Sequence, residues 1–172
     1  KDKLGVVFDE LLVPEEMTLV DLEKFCSRIY SKWDREFFYQ LKRKFNLSEK
    51  QAIKSYSRGM RMKLSMAVAL SHNAEILILD EATSGLDPIV REEILDFLLE
   101  FMQDENHTIL ISSHILSDLE KVADYIAFIN DGKLLFVEPK DELKENYGIC
   151  TLSNEEVENL DEKAIIGRRI HS

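Results

Sequence analysis

Two rhythms of apolar residues alternate along this chain. Uninterrupted runs at 4–8, 76–79 and 108–112 predict short buried strands, as in a parallel sheet covered on both faces. Between them, apolar residues recur at helical spacing. Leu19, Leu22, Phe25, Cys26 and Ile29 predict the inward stripe of one helix, with Thr18 as its cap and Asp21 three residues on. Phe37, Phe38, Leu41 and Phe45 predict the inward face of a second helix over 33–45. Ser48 is expected to cap a short third, and Ser57 a longer one ending near Ser71 and Asn73. Asp87 and Pro88 suit the N-cap and first position of a helix over 88–103. A further helix is expected over 114–123. Asn130-Asp131-Gly132 predicts a hairpin between strands 125–129 and 133–137, and a short polar helix follows Pro139.

Strand, helix, strand, helix, strand from residue 76 onward implies βαβ units with right-handed crossovers over a mainly parallel sheet. The fold class expected is therefore α/β, with a helical subdomain over about 16–72. The full division expected is 1–15, 16–72, 73–148 and a small appendage over 149–172. No repeat or low-complexity segment interrupts it.

Composition narrows the possibilities. At 172 residues, 45% hydrophobic and 32% charged, the chain can bury a proper core. No apolar run approaches the roughly 20 residues needed to span a bilayer. A net charge of −11 disfavours direct binding to nucleic acid. Cys26 and Cys150 lack metal-type spacing and read as reduced thiols.

The chemistry gathers at strand ends. Asp80 and Glu81 follow the run 76–79, and His114 follows 109–111. Open α/β sheets bind their ligands at the carboxyl ends of strands. Hydrolysis of a phosphoanhydride needs a carboxylate for Mg²⁺ and a group to orient and deprotonate water. Asp80 could take the first task and Glu81 the second. His114 could donate to a terminal phosphate. Ser57 and Gly59 open a helix, where an anion could approach closely. Each feature alone has a plain alternative: an acidic strand end in solvent, a structural histidine, an ordinary helix cap.

Their order and spacing resemble the ATP-binding cassette (ABC) transporter ATPases over roughly residues 1–148. Tyr56-Ser57-Arg58-Gly59-Met60 stands where that family has its signature motif, commonly LSGGQ. Residues 76–81 resemble its Walker B strand, Ser84-Gly85-Leu86-Asp87 its D-loop, and His114 its switch histidine. The resemblance implies a partial P-loop NTPase (RecA-like) sheet with ATP and Mg²⁺ as cofactors. It implies that Asp80 holds Mg²⁺ through water, that Glu81 is the general base and that His114 contacts the γ-phosphate. It implies that Ser57 and Gly59 meet a nucleotide held by a second ATPase subunit, and that Asp87 organises the interface between the two.

It also implies a transmembrane permease partner and a place at the cytoplasmic face of a membrane. The loop 9–17 would then couple nucleotide state to transport, and 16–55 would dock the permease. The signature and the C-terminal appendage resemble export-type systems. Other readings are a soluble ABC protein acting on ribosomes or nucleic acid, and a non-catalytic binding or regulatory piece.

There are departures from the family pattern. Arg58 replaces the first glycine of the signature and Met60 its glutamine, while Asp9 stands where a metal-sensing glutamine is usual. Asp9 could reach the metal with a shorter side chain. No G-x-x-x-x-G-K-[ST] occurs, and the sole Gly-Lys pair, Gly132-Lys133, lies in the expected hairpin. The resemblance therefore implies that the family's N-terminal part, with a central strand and its helix, is not in these residues. Strand 4–8 is then expected on the far side of 76–79 from 108–112. The strands 108–112 and 125–129 are expected either to pair directly or to be joined by another molecule. These 172 residues alone are expected to hydrolyse little ATP.

Overall fold

The structure is a computed structural model that describes residues 3–11, 13–146, Gly148 and Leu152. The expected appendage over 149–172 thus lies outside the described residues, Leu152 aside. By internal contacts the chain divides into two units, Lys1–Ala123 and Asp124–Ser172.

The first unit is built on a three-stranded parallel sheet of β1 (Leu4–Val7), β2 (Ile76–Asp80) and β3 (Thr108–Ser112), in the order β1-β2-β3. Val7 pairs with Leu79, Leu79 with Ile111, and Asp80 with Ser112. Strand 4–8 therefore lies where expected, beyond β2 from β3. The parallel register brings the carboxyl ends of β1, β2 and β3 to one edge, and Asp80 and His114 lie at or just past it.

Five helices complete this unit: α1 (Leu19–Ile29), α2 (Arg35–Lys44), α3 (Arg58–Leu70), α4 (Pro88–Phe101) and α5 (Leu116–Val122). Their starts follow local chemistry. Thr18 and Asp21 form a reciprocal capping box on α1, while Asp34, Ser57 and Asp87 each accept a first-turn N–H of α2, α3 and α4. Helix α3 ends as expected, at a Ser71 cap followed by Asn73 in a left-handed conformation.

The core joins α1, α2, α3 and α4 to one face of the sheet, through side chains such as Leu22, Phe38, Leu64, Leu77, Leu79 and Leu98. Helix α3 crosses β1 so closely that a Cβ on Gly5 would lie 2.7 Å from the Ala69 carbonyl oxygen. His72, buried just past α3, stacks on Tyr30 and places Nε2 3.1 Å from the Leu4 carbonyl oxygen.

Several expectations are corrected. Among the described residues the sheet is covered on one face: Leu77 and Leu79 are buried, but Leu4, Val6, Ile76 and Leu110 on the other face are exposed. The described helices pack chiefly on the first face. Phe25 and Ile29 of α1 are exposed, and the buried position off their stripe is Glu23. Glu23 accepts from the Trp33 indole at 3.1 Å and from Arg35 Nε and Nη2 at 2.9 and 3.2 Å. Ser48 caps no helix; its carbonyl takes the Tyr56 hydroxyl, and only a 3-10 turn, Ile53–Ser55, forms beyond it. Helix α5 begins at Leu116 rather than His114, because Ser113 Oγ accepts the Ile115 N–H and holds a turn first.

The second unit contains β4 (Tyr125–Asn130), β5 (Lys133–Pro139) and α6 (Lys140–Asn146). The strands are antiparallel, with Asn130 opposite Lys133 across Asp131 and Gly132, both at positive φ. That is the two-residue turn that matches strand twist. Among the described residues, 125–129 is assigned to a two-stranded sheet of β4 with β5, and 108–112 to the sheet of the first unit, rather than to one shared sheet. A tight turn closes that local pair at lower entropic cost than a longer loop.

Candidate functional site

The strand tips of β2 and β3 are joined side chain to side chain. Ser112 Oγ donates to Asp80 Oδ1 at 2.6 Å and accepts from the Glu81 N–H at 3.1 Å. The Ser112 carbonyl also takes that N–H, at 3.2 Å. Beyond it, His114 Nδ1 lies 2.6 Å from Glu81 Oε2. An ionised carboxylate only accepts, so Nδ1 carries the proton and Nε2 is the nitrogen left for a ligand. The imidazole is largely exposed and Glu81 about one-third so, with side-chain values of 69% and 35%. Solvent and solutes therefore reach both.

Glu81 carries a local backbone cost. Its φ is 50°, whereas the other non-glycine residues at positive φ, among those described, are Asn46, Asn73 and Asp131. Asn and Asp tolerate this region; for a Glu it costs roughly 1–2 kcal/mol. The bonds to its N–H, and the Ser84 N–H donated to its carbonyl at 3.0 Å, offset that cost. The left-handed step falls just past Asp80, the last residue of β2. Strained non-glycine residues concentrate at functional sites.

A second cluster forms where α3 and α4 begin. Ser57 Oγ accepts the Met60 N–H at 3.2 Å, and Asp87 Oδ1 accepts the Val90 N–H at 3.1 Å. The two helices interlock through glycines. A Cβ on Gly59 would lie 2.7 Å from Val90 Cγ1, and one on Gly85 would lie 3.0 Å from Arg58 Nη1. Arg58 thus folds against the loop before Asp87, and among the described residues it makes no ion pair. Met60 packs its side chain on the core, so it does not stand in for a polar glutamine. The loop from Glu81 to Asp87 links the two clusters. Asp9 is exposed just beyond the end of β1.

Among the described residues, no three His, Cys, Asp or Glu side chains come together as a metal cage. The donors at the strand tips are hard carboxylate oxygens. Mg²⁺ favours these and is typically held by one or two of them plus water and phosphate. Asp80, fixed by Ser112, fits that use; Asp9 is a second oxygen donor at the same edge. The sequence reading missed Ser112. The signal available was its place opposite Asp80 once β2 and β3 are set in parallel.

Comparison with known proteins finds related sequences and a related fold. A family model described as ABC transporter matches residues 1–84. The ABC transporter ATP-binding protein YtrB of Bacillus subtilis is 30% identical over 149 residues, 86% of this chain and 51% of that protein. The lantibiotic transport ATP-binding protein SrtF of Streptococcus pyogenes is 45% identical over 87 residues, 51% of this chain and 38% of that protein. The bacitracin transport ATP-binding protein BcrA of Bacillus licheniformis is 45% identical over 95 residues, 55% of this chain and 31% of that protein. The chain spans about half the length of the first of these relatives and less of the other two. In fold it is similar to a solved chain described as an inward-facing metal-chelate type ABC transporter. That match has a TM-score of 0.70 at 20% identity and covers 82% of this chain and 59% of that one. No helix among the described residues is long and apolar enough to cross a membrane. Residues 1–84 match the ABC transporter family model, and in its parallel sheet and its relatives the chain is similar to the ATP-binding proteins of ABC transporters.

Proposed function

We propose that this chain is part of the ATP-hydrolysing subunit of an ABC transporter, which couples ATP hydrolysis to movement of a substrate across a membrane. The observation that carries the reading is the Glu81–His114 contact at 2.6 Å, on the tips of neighbouring parallel strands and open to solvent. Glu81 is the general base toward water, and His114 meets the terminal phosphate through Nε2. Asp80 holds Mg²⁺ through water, with Asp9 as a second oxygen donor. Bound Mg²⁺ supplies charge neutralisation on the phosphates.

The N-terminus of α3 faces a nucleotide held by a second ATPase subunit, through Ser57, Arg58 and the backbone of Gly59 and Met60, and Asp87 lies at that interface. The helical segment 16–55 docks a membrane-embedded permease, at the cytoplasmic face of the membrane. The resemblance of the signature to export-type systems favours export, and two relatives are named for lantibiotic and bacitracin transport. Lacking a Gly-rich Lys-Ser/Thr loop, these 172 residues alone hydrolyse negligible ATP on this reading.

The test is Glu81→Gln in the full-length protein. The amide keeps the shape and loses the base, so hydrolysis falls by roughly 10²–10⁴-fold while ATP binding persists. Ordinary turnover by that variant removes Glu81 from the role.

A further inference from the structure

The loop after β1 and the start of α3 are 40 or more residues apart in sequence, yet one side chain grips both. Arg61, in the first turn of α3, uses three different nitrogens. Nε donates to the Tyr56 carbonyl at 3.3 Å, Nη2 to the Lys54 carbonyl at 3.0 Å, and Nη1 to Glu15 Oε1 at 3.2 Å. The Arg61 side chain is about two-thirds buried and Glu15 is largely exposed. Of the three bonds, the one to the Tyr56 carbonyl is partly buried and the other two are exposed.

The joint it closes is already ordered by backbone bonds. Ile53 N–H donates to the Met17 carbonyl at 2.8 Å, and Lys54 N–H to the Glu15 carbonyl at 2.9 Å. Thr18 and Ala52 form an isolated antiparallel bridge, and Lys54 pairs with Glu16. The backbone route runs on through the 3-10 turn, where the Tyr56 N–H donates to the Ile53 carbonyl at 3.0 Å. Arg61 alone, among the described side chains, carries the connection from Glu15 to Tyr56, whose carbonyl belongs to the peptide leading into Ser57.

We propose that Arg61 is a positioning residue that ties the loop 9–17 to Ser57, so that a displacement of the loop changes the aim of the α3 N-terminus. This rests on the reading of Ser57 as facing a nucleotide phosphate and of the loop as the coupling element. The physical basis is a contiguous set of hydrogen bonds through one planar group. Lysine offers a point charge in place of the fork and reaches one acceptor well, not three.

Amide hydrogen exchange on this chain tests the joint without ATP. Arg61→Ala is expected to speed exchange in 13–17 and 54–57 by about tenfold while α2 and α4 keep their protection. Arg61→Lys should resemble Arg61→Ala. Glu15→Gln, which removes only the ion pair, should loosen 13–17 while 54–57 stays protected. Unchanged exchange in 13–17, or uniform loosening of every segment, overturns the proposal.

In the full-length ATPase, Arg61→Ala should lower kcat by about tenfold with the KM for ATP within about twofold. If Glu81→Gln is inactive and Arg61→Ala retains full kcat, the positioning role fails and the active-site reading stands. If Glu81→Gln still hydrolyses ATP, the active-site reading fails, and the exchange result alone decides whether Arg61 joins the two segments.

Discussion

Ser112 holds Asp80 and Glu81 at once: its hydroxyl donates to the Asp80 carboxylate at 2.6 Å and accepts the Glu81 N–H at 3.1 Å. The two residues it joins are adjacent in sequence, Asp80 as the last residue of β2 and Glu81 just past it at positive φ. A hydroxyl at the tip of the neighbouring strand is what a parallel register can offer to both. Ser112→Ala keeps the carbonyl bond to the Glu81 N–H and loses the other two contacts. The expected cost is about 1 kcal/mol in denaturant unfolding, with faster exchange of the Glu81 amide. An alanine variant with the stability and Glu81 exchange of the parent would show that the hydroxyl is a bystander.

Gly59 is the second position where a single atom decides the geometry. Its missing Cβ admits Val90 from α4, and an added methyl would stand 2.7 Å from Val90 Cγ1. Gly59→Ala gains intrinsic helix propensity of roughly 1 kcal/mol, yet overpacking at such a contact costs roughly 1–3 kcal/mol. The net expectation is destabilisation, by the smaller part of that range. Val90→Ala removes the opposing methyls, so the double variant should recover the stability lost by Gly59→Ala. Additive effects in thermal or urea unfolding would mean that the two residues do not meet.

How much of this was legible in the sequence depends on how far the deciding contact reaches. The caps at Thr18, Ser57 and Asp87 and the Asp131-Gly132 turn were readable because donor and acceptor lie within a few residues. Asp80 and Glu81 were readable because a short apolar run ends in charge, and His114 because it closely follows another such run. Phe25 and Ile29 misled because periodicity marks a face without saying what lies opposite it. Glu23 is buried because Trp33 and Arg35, from beyond the following turn, converge on its carboxylate. No local pattern announces that. The same holds for Ser112 and Arg61, whose partners lie 31 or 32 and, for Glu15, 46 residues away along the chain.

Cys26 is the titratable core residue whose behaviour can be followed with pH. It is buried on α1, and burial pushes its thiol up to about 11 from an ordinary 9.0, with the Glu23 charge acting in the same direction. The folded protein therefore keeps a proton that the unfolded chain releases. The sign follows: the contribution is complete below about pH 9, falls as pH rises through the folded value near 11, and is constant above it. The loss over that window is roughly 2–3 kcal/mol. Tyr30, Tyr39 and Tyr56 are also raised, chiefly by burial, and add losses of the same sign from about pH 10 upward. Cys26→Ala removes the cysteine share only, so its stability difference from the parent should narrow between pH 9 and 11, measured by urea unfolding. In a Cys150→Ser background, Cys26 should react with iodoacetamide at pH 8 only as fast as the fold opens. Alkylation at the rate of a free small-molecule thiol would place Cys26 in contact with solvent and remove the basis for the pH effect.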